Sequence, residues 1–158
     1  PRITNLGIFV ARAMLLASAL FMQEVMDLKP CYLCIVQRVF VIFVGLTALL
    51  ACIHNPGVTG RRVYAGVTIL GALGGGGFAI RHLWLQGLPA DRVPACGPPA
   101  DYLLDVFPLA QALPMLLEGD GNCAVVDWTL LGVSIPGWLL VAFCGLAAAG
   151  LWQLRRQR

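Results

Sequence analysis

The chain has 158 residues, 59% of them hydrophobic and only 12% charged, with a formal net charge of +3. A soluble domain of this length needs far more charge to cover its surface, so the apolar excess is expected to face lipid. The charges are also segregated: all eight acids lie in 24–27 and 91–127, whereas Arg61, Arg62, Arg155, Arg156 and Arg158 lie in two acid-free stretches. That pattern marks the two sides of a membrane and excludes nucleic-acid binding as the reason for the positive balance.

Segments 4–23, 34–53, 63–83 and 135–154 each reach the length of about 20 apolar residues that a helix needs to cross a bilayer core. In the first, Arg2, the apolar run and Ala17-Ser18-Ala19 resemble a cleavable leader. The run nevertheless continues through Leu20, Phe21 and Met22 to a full span, so an uncleaved helix is expected. Arg12 within it is costly against lipid and is expected to face the bundle or to reach toward the headgroups.

Pro30 biases Lys29 to extended backbone, which puts Cys31-Tyr32-Leu33-Cys34 where a short loop meets the second helix. The 54–62 loop contains the turn signal Asn55-Pro56-Gly57 together with Arg61 and Arg62. In the third helix, Gly71 and Gly74 to Gly77 are expected to let neighbouring helices approach closely rather than to form a hinge. The 84–134 loop is too apolar for a solvated linker and is broken by Pro89, Pro94, Pro98, Pro99, Pro108 and Pro114. Its 101–117 stretch predicts short helical pieces lying in the membrane interface. Trp84, Trp128 and Trp138 fall near one expected boundary and Trp152 near the other.

The positive-inside rule places the 54–62 loop and the C-terminus in the cytoplasm, and with four spans the N-terminus as well. Loops 24–33 and 84–134 are then outside, which for a bacterial inner membrane means an oxidising periplasm. The expected fold is an all-α membrane protein, a four-transmembrane-helix bundle in one domain with a long, partly helical periplasmic loop.

Six cysteines divide by location. Cys52 and Cys144 lie in apolar helices and are expected to be small buried hydrophobes. Cys31, Cys34, Cys96 and Cys123 are on the oxidising side, where four cysteines allow three pairings. Cys96–Cys123 would close a loop large enough for a structural role. A Cys31–Cys34 bridge restrains little chain, but the spacing lets one thiol attack a mixed disulfide formed by the other. Zinc would need all four outer cysteines together or a His; neither His54 nor His82 shows ligand spacing along the chain, so no metal is expected.

Arg38 lies four residues after Cys34, on the same helix face and one turn deeper. A cation there would stabilise a Cys34 thiolate and orient a polar ring at membrane depth, where charges are rare and usually functional. His82 and Gln86 form an i,i+4 pair at the outer end of the third helix, either able to donate to a ligand beside Arg38. Arg81 and Glu24 are expected to pair at the outer surface.

The stretch Met26-Asp27-Leu28-Lys29-Pro30-Cys31-Tyr32-Leu33-Cys34 followed by Arg38 resembles the first periplasmic motif of the disulfide bond formation protein B (DsbB) family. Gly121-Asn122-Cys123-Ala124, then Trp128, Leu131-Gly132 and Ile135-Pro136-Gly137-Trp138-Leu139-Leu140, resembles that family's second-loop cysteine and the start of its fourth helix. Position 37 is Gln where some members carry an acid, a difference expected to leave the chemistry untouched.

The resemblance implies an inner-membrane oxidoreductase that reoxidises a periplasmic DsbA-type dithiol oxidase and passes electrons to a quinone, ubiquinone or menaquinone. By position it implies that Cys96 is attacked by the partner, that Cys123 exchanges with Cys31, and that Cys34 meets the quinone beside Arg38 and His82. Resting connectivity stays open between Cys31–Cys34 with Cys96–Cys123 and an interloop pair such as Cys31–Cys123. Competing readings are a DsbB-like oxidase dedicated to another partner, a scaffold stapled by its disulfides, and a metal-handling membrane protein. A vitamin K epoxide reductase-like bundle would need a second C-x-x-C in the last helix, where Cys144 stands alone.

Overall fold

Residues 2–27 and 29–156 are described in a computed structural model. Leu28 of the motif stretch, Arg158 of the basic terminus and the side chains of Arg2 and Arg156 lie outside the described residues. The elements, in order, are α1 (Arg2–Val25), α2 (Tyr32–His54), α3 (Val58–Gln86), α4 (Ala100–Val106), α5 (Leu109–Glu118), a 3-10 turn (Gly121–Ala124), strands β1 (Thr129–Leu130) and β2 (Val133–Ser134), and α6 (Ile135–Arg156). Helices α1, α2, α3 and α6 are the membrane spans, each long and apolar enough to cross a bilayer. Large apolar side chains such as Ile3, Met14, Leu70 and Val141 cover their outer faces, where lipid replaces water.

Turn chemistry sets the helix ends. Asn55 takes the left-handed conformation at φ 41° and closes α2, its N–H donating to the Ala51 carbonyl at 3.2 Å. Extended Gly57 then opens α3 at Val58, earlier than the expected start at 63. Arg61 and Arg62 therefore belong to the first turns of α3 rather than to a loop, and Arg61 Nε donates to the Pro56 carbonyl at 2.9 Å. Hydropathy marks where the bilayer begins, not where helical hydrogen bonding does.

Helix α3 packs along both α2 and α6, and α1 packs along α2. The glycines of α3 permit that approach. A Cβ at Gly71 would stand 2.8 Å from Val44 Cγ2, one at Gly74 2.7 Å from the Phe40 ring, and one at Gly75 would enter the Phe143 ring. Gly77 faces open space, so the close-packing role belongs to part of the run only. Arg12 faces the bundle: it is buried, its Cζ lies 4.9 Å from the Phe143 ring centroid, and Nη1 and Nη2 have no hydrogen-bond partner. Cys52 is buried as expected, but Cys144 is exposed on the outer face of α6, because its neighbour Phe143 takes the inward position.

Between α3 and α6 the chain folds back over the Cys31 end of the bundle. Prolines 99 and 108 immediately precede α4 and α5, and pre-proline Phe107 is extended, so the proline breaks set the helix starts. Leu103, Ala112 and Leu116 from these short helices pack with Leu33 and Leu85 in one buried cluster. The expectation of short helical pieces holds. The β1–β2 hairpin was not expected; Thr129 pairs with Ser134 and Leu130 with Val133. Its two-residue turn, Leu131 and Gly132, has φ of 53° and 78°, the primed geometry that matches strand twist.

Candidate functional site

Pro30 stops the loop and Cys31 sits in extended conformation as the N-cap of α2, with the Ile35 N–H donating to its carbonyl at 3.2 Å. Cys34 follows in the first turn, so both sulfurs lie on one side: Cys31 Sγ is 3.1 Å from Cys34 Sγ, and both cysteines are free thiols. The 3-10 turn brings Cys123, fully buried, against the same sulfur. Cys31 Sγ, Cys123 Sγ and a ring nitrogen of His82 all lie within 4.8 Å of one another. His82 Nε2 is 3.7 Å from Cys31 Sγ.

Electrostatics differentiate the thiols. Cys31 is pushed well above the ordinary thiol value, first by its hydrogen bonds with Cys123 and Cys34 and then by burial. Cys123 is held below its ordinary value, chiefly by the hydrogen bond from Cys31. Cys31 thus keeps its proton while Cys123 moves toward thiolate, the form that attacks disulfides.

Cys96 is exposed and stands apart from this cluster, yet its segment is fastened to the Cys123 turn. Gly121 N–H donates to the Ala95 carbonyl at 3.2 Å, and Gly97 N–H donates to Asp120 Oδ2 at 2.9 Å. A Cβ at Gly121 would collide with the Pro94 carbonyl and stand 3.1 Å from Cys96 Sγ. The Tyr32 hydroxyl, next to Cys31, donates to the Pro98 carbonyl at 2.6 Å. Asp120 is buried, and its Oδ1 accepts from Cys123 Sγ at 3.5 Å.

Arg38 does not bond to Cys34. Its Nη1 donates to Gln23 Oε1 at 2.5 Å and its Nη2 to the Ala19 carbonyl at 3.2 Å, both on α1. Arg38 and Cys34 nevertheless line one cleft with His82 and Gln86. Gln86 Oε1 accepts from Ser134 Oγ at 2.8 Å. The cleft is walled by apolar residues such as Leu15, Leu16 and Met22 of α1 and Leu139 of α6. A few polar groups thus converge in an apolar wall, the usual makeup of a small-molecule site. Among those polar groups Arg38 carries five N–H donors in all.

Three residues were not singled out along the chain. Gln37, expected to be without bearing on the chemistry, is fully buried with Nε2 3.3 Å from His82 Nδ1. Asp120 carried one legible signal, the glycines on either side of it, which leave room for tight backbone. Tyr32 reads as an ordinary spacer within the motif. The Arg81–Glu24 pair is not formed: Arg81 Nε donates to the Glu118 carbonyl at 2.9 Å, and Glu24 accepts from Gln23. His82, without ligand spacing in the sequence, joins the sulfurs in space because α3 runs beside the start of α2.

Residues 1–153 match the family model described as Disulfide bond formation protein DsbB. A protein named Disulfide bond formation protein B from Saccharophagus degradans is 54% identical over 152 residues, covering 96% of this chain and 92% of that protein. One of the same name from Hahella chejuensis is 51% identical, covering 95% and 92%. Disulfide bond formation protein B 1 of Pseudomonas aeruginosa is 41% identical over 157 residues, covering 99% and 96%. With four membrane spans among the described residues and this match along nearly its whole length, the chain belongs to the DsbB family of membrane disulfide bond formation proteins.

Proposed function

We propose that this protein is a quinone-dependent thiol–disulfide oxidoreductase of the bacterial inner membrane that reoxidises a periplasmic DsbA-type partner. The observation that carries the reading is that Cys31 and Cys34 line an apolar cleft with Arg38, His82 and Gln86, while Cys123 is packed against Cys31 and His82. In this reading both termini are cytoplasmic and the four cysteines face the periplasm.

The electrons follow the sulfurs. A partner thiolate attacks Cys96 of a Cys96–Cys123 disulfide, forming a mixed disulfide and releasing Cys123 as thiolate. Cys123 attacks Cys31 of the Cys31–Cys34 disulfide, so Cys31–Cys123 forms and Cys34 leaves as thiolate. The partner's second thiol then displaces Cys96, which attacks Cys123 and restores Cys96–Cys123. Cys31 and Cys34 are left as the dithiol carrying two electrons. Cys123 suits this relay because its buried sulfur lies within 4.8 Å of the Cys31 sulfur that it attacks.

A quinone would supply the two-electron acceptor at the cleft, with Arg38, His82 and Gln86 holding its oxygens beside Cys34. Arg38 is braced by α1, so its remaining N–H groups have a fixed direction. A DsbA-type oxidase at about −120 mV is too oxidising for glutathione to regenerate, which is why a membrane acceptor is required.

Stopped-flow absorbance of the purified protein with ubiquinone or menaquinone and a reduced DsbA-type partner tests the proposal. Quinone loss should match partner oxidation stoichiometrically. A scaffold stapled by its disulfides would leave both unchanged.

A further inference from the structure

Resting on that reading, we propose that reduction creates a thiophilic metal site at the same sulfurs. Cys31, Cys34, Cys123 and His82 bind one Zn²⁺, and the bound ion holds the protein reduced and inactive. Around tetrahedral zinc, with Zn–S near 2.3 Å and Zn–N near 2.0–2.1 Å, adjacent ligand atoms stand about 3.5–3.8 Å apart. The Cys31 Sγ to His82 Nε2 separation is already 3.7 Å, and the Cys31, Cys123 and His82 atoms all fall within 4.8 Å. Bringing these three atoms to ligand spacing therefore takes displacements of about 1 Å. Cys34 Sγ, 3.1 Å from Cys31 Sγ but outside that 4.8 Å group, swings in by side-chain rotation as the fourth ligand and completes a Cys₃His set typical of closed zinc sites.

The surroundings favour binding. Cys123 and His82 are buried, so few water molecules compete, while Cys34 and His82 open onto the cleft and give the ion a path. A metal-bound imidazole needs its other nitrogen to donate to a fixed acceptor. Gln37 stands on His82 Nδ1, and its Oε1 has no hydrogen-bond partner. A half-turn of the Gln37 amide places that oxygen on Nδ1–H. Three thiolates around Zn²⁺ leave a net negative charge, and Arg38 lines the same cleft.

Binding exchanges protons and moves no electrons: three S–H bonds break, three Zn–S bonds and one Zn–N bond form, and three protons leave. A disulfide at Cys31–Cys34 or Cys31–Cys123 removes two ligands at once. The site therefore exists only in the reduced protein, and an occupied site blocks thiolate attack and electron transfer alike. Exposed Cys96 stays outside it.

The test is anaerobic titration of the full-length, detergent-purified protein, reduced and freed of reductant, with Co²⁺ followed by thiolate-to-metal charge-transfer absorbance, and with Zn²⁺ as competitor. Stoichiometric binding to reduced protein and none to oxidised protein is expected. Cys96→Ser should bind as tightly as the parent. His82→Asn should weaken Zn²⁺ at least tenfold. Cys34→Ser, at a partly exposed position, should lower charge-transfer intensity to about two-thirds, as loss of one of three thiolates requires.

No binding to the reduced protein, equal binding to the oxidised protein, or affinity indifferent to both His82→Asn and Cys34→Ser overturns the proposal. Oxidation of the metal-free reduced protein by quinone is measured alongside. If quinone oxidises it but metal does not bind, only the metal site falls. If metal binds and quinone does nothing, the quinone reading falls and the site stands.

Discussion

Gln37 stands behind the His82 ring, its Nε2 3.3 Å from Nδ1, while the far nitrogen of that ring faces Cys31 Sγ at 3.7 Å. The imidazole is thus held between a buried amide on α2 and the first sulfur of the motif. A Gln37 donor on Nδ1 leaves the proton on Nε2, directed at Cys31, where it can support a sulfur that becomes negative during exchange. Replacing Gln37 by Leu removes the hydrogen bond and frees the ring. A lost hydrogen bond of about 1 kcal/mol corresponds to roughly a fivefold slower exchange. Single-turnover oxidation of the reduced protein by quinone measures it, and an unchanged rate would separate His82 orientation from the chemistry.

The thiol acidities give a pH prediction. Cys123 is held below the ordinary thiol value by the hydrogen bond from Cys31, so its thiolate persists to lower pH than that of an unassisted thiol. Cys31→Ala removes that donor, and the Cys123 pKa should rise. The pH profile of Cys123 modification by a small thiosulfonate reagent should therefore move to higher pH in the variant. Movement to lower pH would mean that burial, not the Cys31 donor, sets Cys123.

Asp120 couples the two loop cysteines. One carboxylate oxygen takes the Gly97 N–H beside Cys96 and the other takes the Cys123 thiol. Asp120→Ala strands the Gly97 donor and should cost about 1–3 kcal/mol of local stability. Faster amide hydrogen exchange confined to 94–98 and 120–124 is the expected readout, and Asp120→Asn should restore most of the protection through its carbonyl oxygen. Exchange unchanged in Asp120→Ala would show that backbone contacts alone hold the two segments together.

Glycines in α3 are not equivalent. Gly75→Ala drives a methyl into the Phe143 ring and should destabilise by about 1–3 kcal/mol. Gly77→Ala meets nothing within 4 Å and should stabilise by up to about 1 kcal/mol through helix propensity. Thermal unfolding in one detergent compares them; equal Tm values would remove Phe143 as the reason for Gly75.

What was legible in the sequence follows the range of the forces involved. The spans were readable because lipid demands a continuous apolar run, and the motif because Pro30, Cys31 and Cys34 are neighbours. The start of α3 was misplaced because Arg61 and Arg62 leave the bilayer before they leave the helix. Arg38 shares a face with Cys34, but Gln23 and Ala19 on α1 take its N–H groups, a choice made by helix packing. Gln37 with His82 and Gly97 with Asp120 join residues 45 and 23 positions apart, where no local periodicity reports them. The hairpin is too short for an alternating pattern, and only Leu131-Gly132 hinted at its turn.

The central claim is that Cys34 delivers electrons to a quinone. Its most direct test is stopped-flow quinone absorbance with Cys34→Ser and a reduced DsbA-type partner, with mixed disulfides resolved on a non-reducing gel. Partner linkage at Cys96 with quinone reduction abolished is the expected result. Quinone reduction at the parent rate in Cys34→Ser would contradict it.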